Sequence, residues 1–293
     1  MQQAQRKTGV IGIIGGSGFY NLPGMTDVRE VDIDTPFGRP SDPVMVGTLG
    51  GREVAFIARH GKGHRINPSN VPARANVYAL KMLGVTHLIS VSAVGSMKEE
   101  IEPLDMVVPD QIIDRTVHRP RSFFDDGPVV HVAFAQPYCH SLREVARDAA
   151  AQAGATVHDG GTYVCIEGPQ FSTLAESLLY RSWGVSVIGM TSMPEARLAR
   201  EAEMCYATLA MATDYDTWHP EHDSVTVELV VQNLNRNVQT ARDTLAALVP
   251  LVPEACDCDC ATALDNAIMT QLDALPQPVL ERYSALLARY MAG

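Results

Sequence analysis

Two carboxylates one residue apart, Asp214 and Asp216, close an apolar run that begins at Met204. A buried strand that runs out into a pair of acids is how an open α/β sheet presents carboxylates at its carboxyl edge, where ligands bind. At strand period the two share one face if the strand continues that far. The same residues would also make a plain solvated turn, since Asp is a turn former. Other candidate residues follow apolar runs in the same way. Gly15-Gly16-Ser17-Gly18 follows residues 9–14, and such a turn lets backbone N–H groups approach an anion closely while Ser17 adds a hydroxyl. The glycine spacing fits neither a dinucleotide fingerprint nor a Walker A loop, so a ligand-free tight turn explains it equally well. Arg59 and His60 open the stretch Arg59-His60-Gly61-Lys62-Gly63-His64, where a guanidinium fork suits phosphate oxygens. Lys62 there reads as an ordinary solvated cation. Ser92-Ala93-Val94-Gly95-Ser96 and Thr191 bring further hydroxyls to strand ends, and Glu167-Gly168-Pro169-Gln170-Phe171-Ser172 forms an aromatic-bearing loop.

Strands and helices alternate along the chain. Strands are expected over 9–14, 44–49, 53–58, 86–93, 103–109, 111–114, 162–166, 185–190 and from 204, with 44–58 a hairpin around Gly50-Gly51. Helical spacing marks 71–83, 140–154, 173–183, 194–203 and 226–248, and the segments 264–272 and 278–290 are also expected to be helical. Residues 115–128 read as an irregular charged loop, a lid or an interface, and 250–260 as the most linker-like segment. No internal repeat is evident. The fold class expected is α/β: one domain over residues 1–293, a central mixed, twisted β-sheet flanked by helices, with a helical C-terminal extension from about residue 251.

Apolar residues are 46% of the 293, enough for a sizeable core, and the net charge of −11 argues against nucleic acid as a partner. An anionic ligand must then be held by local donors against the overall field. No apolar run is long enough to span a membrane, and residues 1–7 lack the apolar core of a secretory signal, so a cytoplasmic location is expected. Cys139, Cys165 and Cys205 read as core packing. Cys256, Cys258 and Cys260 alternate with Asp257 and Asp259, without the spacing of common zinc sites or a nearby His. A local disulfide, a metal-catching tail and an inert loop all remain open; a surface feature outside the catalytic site is favoured.

Taken together, the motifs at 15–18, 34–38, 59–61, 92–96, 166–172 and 190–191 and the block Ala210-Met211-Ala212-Thr213-Asp214-Tyr215-Asp216 closely resemble those of the 5′-methylthioadenosine phosphorylases, of the trimeric purine nucleoside phosphorylase superfamily. The likeness covers about residues 9 to 250; each motif alone is modest, but their order is specific. It implies a phosphorolysis in purine and methionine salvage, with inorganic phosphate as co-substrate, no metal and no organic cofactor. It places phosphate against Ser17, Arg59, His60, Ser92, the N–H of Ala93, and Thr191. The family usually has Thr at positions 17 and 92, and Ser keeps the hydroxyl. Met190 is implied against the ribose, Phe171 over the purine with Ser172 close by, and Asp214 and Asp216 at the base. Val227, Val230 and His131 are implied to line the 5′ pocket, His131 coming from a neighbouring subunit of a homotrimer. Without the resemblance, the two valines would read as core. Cys139 and Cys205 also match family positions, which implies that they lie close together.

The implied chemistry agrees with the residues. A protonated Asp214, its pKa raised by burial and by Asp216, can donate to purine N7 as the base leaves. Asp214 favours adenine, because relatives that prefer 6-oxopurines tend to carry Asn there. The alternatives are a 6-oxopurine nucleoside or methylthioinosine phosphorylase and, in a different class, a non-catalytic nucleotide-binding or redox module drawn from the glycine turn and the cysteines.

Overall fold

The computed structural model describes residues 9–19, 22–219 and 227–291. The first strand, β1 (Val10–Gly15), is apolar and buried throughout, and it lies between two parallel neighbours, β4 (Arg52–Ala58) and β5 (Val85–Ser96). β11 (Cys205–Asp214), buried along its whole length, extends this parallel set on β5. Strands covered on both faces need continuous apolar sequence, which is why these runs show no alternation. Antiparallel strands complete one flank: β2 (Thr26–Val31) and β3 (Val44–Leu49) reach β1 through β4. Beyond β5 the sheet divides. One branch continues through β10 (Val187–Gly189), β9 (Thr162–Ile166) and β7 (Gln111–Arg115), the other through β11, β6 (Met106–Val108) and β8 (Val157–Asp159). Among the described residues the result is a mixed sheet of 11 strands.

Helices cover both faces. On one side α1 (Ala73–Met82), α4 (Ser192–Glu201) and α7 (Ser284–Met291) pack over a core containing Val77, Leu88, Leu198, Tyr206 and Leu287. On the other, α2 (His140–Gln152) and α5 (Val227–Leu248) bury Leu142, Ala146, Val238, Ala241 and Leu245 against Ile11, Ile13 and Leu209. α3 (Leu174–Ser182) opens on a capping box in which Thr173 and Glu176 satisfy each other's backbone N–H groups. α6 (Gln277–Arg282) is a short helix that leads into α7.

The structure differs from the sequence reading in places with identifiable causes. β2 and β8 are not anticipated: β2 is largely exposed and polar, and β8 has three residues. Residues 264–272 are not a helix. Their backbone is taken by residues 129–131 instead, through His131 N–H to Ala267 O at 2.8 Å and Met269 N–H to Val129 O at 2.9 Å. Residues 278–290 form two helices that meet at the buried Tyr283. The linker-like stretch 250–260 is packed, with Val252 and Cys260 buried. The loop 115–128 is not a loose lid, because Arg119, Phe123 and Phe124 are buried. Among the described residues no helix is long and apolar enough to cross a membrane.

Candidate active site

β1, β4, β5 and β11 run parallel, so their carboxyl ends open on one edge of the sheet. A cavity of about 510 Å³ lies there, lined by Ser17, Arg59, His60, Ser92, Ala93, Phe171, Ser172, Met190, Thr191, Asp214 and Asp216 among others. Of the residues singled out in the sequence, these converge from separate strand ends. His131 does not join them within its own chain; it is exposed on the segment bridged to Ala267. Val227 and Val230 fall on the first turn of α5, and their side chains lie outside the described ones.

The register explains the convergence. β10 runs antiparallel to the end of β5, with Ile188 opposite Gly95. Continuing that pairing brings Thr191 back to Ser92, and their hydroxyls are hydrogen-bonded. The Gly15–Gly18 turn lies against β5 so closely that a Cβ on Gly16 would stand 2.7 Å from Val91 O and 3.1 Å from Arg59 Nη1. Only glycine leaves that approach open.

Arg59 is buried at 1% exposure and forms a two-point ion pair with Glu195: Nε to Oε1 at 2.5 Å and Nη2 to Oε2 at 3.0 Å. Nη2 also donates to Ser90 Oγ at 2.7 Å and Nη1 to Val91 O at 3.0 Å. Burial works against its charge, but the Glu195 carboxylate outweighs this and raises the guanidinium pKa. A guanidinium has five N–H groups, so the second hydrogen of Nη1, beside Gly16, is left to point at a ligand. His60 donates from Nδ1 to Ile66 O at 2.9 Å, an acceptor that fixes this tautomer, and its ring stacks on His64 with centroids 4.4 Å apart. Burial, and then the charge of Arg59, lower its pKa to about 4, so the ring is neutral at pH 7 with Nε2 as an acceptor.

At the other end of the cavity a bulge after Ala212 turns Asp214 onto Gly95, whose missing Cβ would stand 2.9 Å from Asp214 Oδ1. Burial raises the Asp214 pKa to about 6, with the charge of Asp216 adding to it, against the Thr213 hydroxyl at 2.7 Å and the Asp216 N–H at 2.9 Å. The two acids meet by a turn and not by strand period. β11 ends at Asp214, and Asp216 starts a single 3₁₀ turn with φ 51°. Its carboxyl pKa is also raised, by burial first. Asp216 Oδ2 and Ser172 Oγ are buried side-chain atoms without a hydrogen-bond partner, and both residues line the cavity. Unpaired buried polar atoms in a cavity mark where a ligand supplies the missing partner.

Several further residues line the site without a signal in the sequence. His64, Arg65, Asn67 and Pro68 line the cavity, and Ser17 Oγ lies 3.4 Å from His64 Nδ1. Arg119 joins the cavity walls: Nη1 donates to Met190 O at 2.5 Å and Met193 O at 2.7 Å, and Nη2 to Glu167 O at 2.6 Å and Ile166 O at 3.3 Å. It lies in a charged loop with no periodic pattern, beside Arg115 and Arg121, so nothing in the sequence sets it apart. We expect Arg119→Ala to cost about 3 kcal/mol, because several buried carbonyls lose their donor together. Denaturant unfolding measures this. Unchanged stability would show that the Phe171 and Met190 walls hold themselves.

Comparison with known proteins fits this geometry. The family described as the Phosphorylase superfamily matches residues 10–250. An S-methyl-5′-thioadenosine phosphorylase of Thermosynechococcus vestitus is 55% identical, over 97% of this chain and 100% of its own. One from Koribacter versatilis is 53% identical, over 96% of each. The crystal structure of a methylthioadenosine phosphorylase from an Antarctic soil metagenomic library superposes with a TM-score of 0.91 at 48% identity, covering 96% of this chain and 100% of that one. A methylthioadenosine phosphorylase of Schistosoma mansoni, in complex with adenine, superposes with a TM-score of 0.84 at 35% identity, covering 89% of this chain and 99% of that one. With the sheet-edge cavity, its hydroxyls and its raised carboxyl, these likenesses show that the chain belongs to the phosphorylase superfamily.

Proposed function

We propose that the chain is a pentosyltransferase that cleaves S-methyl-5′-thioadenosine with inorganic phosphate, giving adenine and S-methyl-5-thioribose 1-phosphate. The observation that carries this reading is the pairing, across one cavity, of an anion-type end built from Ser17, Arg59, Ser92 and Thr191 with a buried carboxyl at Asp214 whose pKa is near 6. Relatives at 50% identity and above bear the same activity in their names.

Phosphate is held by the hydroxyls of Ser17, Ser92 and Thr191, the N–H of Ala93 and the remaining N–H of Arg59. His60, neutral and bound through Nδ1, accepts the phosphate's own O–H at Nε2. Fixed there, a phosphate oxygen attacks C1′ as the bond to N9 breaks, and its charge stabilises the oxocarbenium-like sugar. The purine departs with an extra electron pair, and Asp214 donates its proton to N7. The base supplies the partners that the buried Ser172 Oγ and Asp216 Oδ2 lack, Phe171 covers it, and Met190 lies against the ribose. Val227 and Val230 complete the 5′ pocket, and His131 of a neighbouring copy closes it in a homotrimer. Six free cysteines fit a reducing, cytoplasmic setting.

The test is incubation with methylthioadenosine, adenosine, methylthioinosine and inosine, with and without phosphate. Phosphate-dependent release of adenine, fastest from methylthioadenosine, is expected. Release of hypoxanthine in preference to adenine would favour a 6-oxopurine enzyme, and binding without turnover a non-catalytic module.

The raised carboxyl also sets a pH dependence. The acid form of Asp214 falls about tenfold per unit above its pKa of about 6. For free enzyme at saturating phosphate, kcat/KM on methylthioadenosine therefore falls with pH above that point. Ionisation of phosphate to the dianion changes in the opposite sense. Asp214→Asn has nothing to titrate there and loses the decline; a decline that persists in the variant would assign it to another group.

A further inference from the structure

Far from the cavity, the cysteines form a cluster that neither the chemistry nor the surface reading of the sequence explains. Cys205 opens β11, the strand whose other end carries Asp214. Cys139 is the N-cap of α2, and Cys258 and Cys260 come from the C-terminal tail. The four sulfurs all lie within 4.8 Å of one another. Cys139 Sγ is 3.7 Å and Cys205 Sγ 3.5 Å from Cys258 Sγ. Four thiolates around a tetrahedral zinc, with bonds near 2.3 Å, stand about 3.8 Å apart. A disulfide needs about 2.05 Å, and all six cysteines are free.

We propose that Cys139, Cys205, Cys258 and Cys260 form a structural site for a soft divalent cation of the zinc class, tying the C-terminal tail to β11 and α2.

Three observations support a charged, ion-holding cluster over ordinary packing. The donor set is all sulfur and closed, as in structural zinc sites, with no side left for substrate. The surroundings place polar groups beside the sulfurs. Ser141 Oγ lies 3.3 Å from Cys139 Sγ, and Cys139 sits at the N-terminus of the 13-residue α2. Cys256, 3.2 Å from Cys258, and His87, grouped with Cys205 and Cys256, stand next to the four ligands as a second layer. The sequence conceals the site because two of its ligands are 66 residues apart in the chain from each other and remote from the Cys-x-Cys tail. Since a metal that joins separate elements binds the folded chain and not the unfolded one, it adds its binding energy to stability.

The experiment uses the full chain expressed with zinc and purified without chelator. Elemental analysis of wild type is expected to give about one zinc per chain, with all six thiols titrating after denaturation in chelator. Cys258→Ser combined with Cys260→Ser is expected to lose the zinc and melt earlier, yet keep phosphorolysis while folded, since the cavity lies at the opposite end of β11. If that variant does not fold, cobalt exchanged into wild type is the second measurement, and absorption of tetrahedral cobalt–thiolate type is expected. Wild type without stoichiometric metal, fewer than six titratable thiols through disulfides, zinc retained by the double variant, or cobalt without thiolate absorption would each overturn the proposal.

Discussion

Asp214→Asn is expected to lose ~10²–10³ in kcat/KM on methylthioadenosine while losing far less, or gaining, on methylthioinosine. The acid that donates to N7 is gone, and an amide cannot release a proton. The same amide can donate to a 6-oxo group, which the carboxylate cannot. Stability is expected to move the other way. The folded carboxyl keeps its proton to about pH 6, whereas the unfolded one releases it near 3.8. Folding is therefore weakened as pH rises through that window, and above it the cost reaches about 3 kcal/mol at most. Asn carries no such charge, so the variant should be more stable than wild type at pH 7, with its Oδ1 still open to the Asp216 N–H. A residue that merely caps the turn after β11 would give the opposite pattern: lower stability and equal losses on both nucleosides. The ratio of kcat/KM for the two substrates, measured beside thermal unfolding, separates the two.

Arg59→Ala has the second large effect, and it acts on fold and ligand together. Glu195, at 3% exposure, would keep its carboxylate without the two-point partner. Breaking one side of a buried ion pair costs about 3–5 kcal/mol. Phosphate saturation is expected to weaken as well, because the one N–H of Arg59 free for the anion is lost. A double variant separates these effects. Arg59→Met with Glu195→Gln removes both charges and leaves an acceptor for Tyr206 Oη, which lies 3.2 Å from Glu195. It should recover much of the stability and still need more phosphate, with little change in adenine binding. A double variant that saturates with phosphate like wild type would remove Arg59 from the anion site and leave it a purely structural role.

Much of the sheet edge is legible in the sequence for a simple reason. Each ligand-type residue follows a strand whose burial on both faces demands an unbroken apolar run, as in β1, β4 and β11. Chain order therefore gives the positions of Ser17, Arg59 and Asp214, and parallel pairing gathers them. What stays hidden depends on long-range partners. Arg119 matters through four carbonyls, and carbonyls leave no trace in residue identity. Glu195 looks like an ordinary helix glutamate until Arg59 is placed against it. The 264–272 segment is expected to be helical from sequence, yet pairing with residues 129–131 takes its backbone groups. The sulfurs of Cys139, Cys205, Cys258 and Cys260 meet only once α2, β11 and the tail are packed.

The most direct test of phosphorolysis is the identity of the sugar product. Purified wild type should convert methylthioadenosine and phosphate into equal amounts of adenine and S-methyl-5-thioribose 1-phosphate, read by ³¹P NMR and mass spectrometry, with no adenine when phosphate is withheld. Adenine released together with free methylthioribose at the same rate without phosphate would mean that water is the nucleophile, and the assignment of Ser17, Arg59, Ser92 and Thr191 to a phosphate site would be wrong.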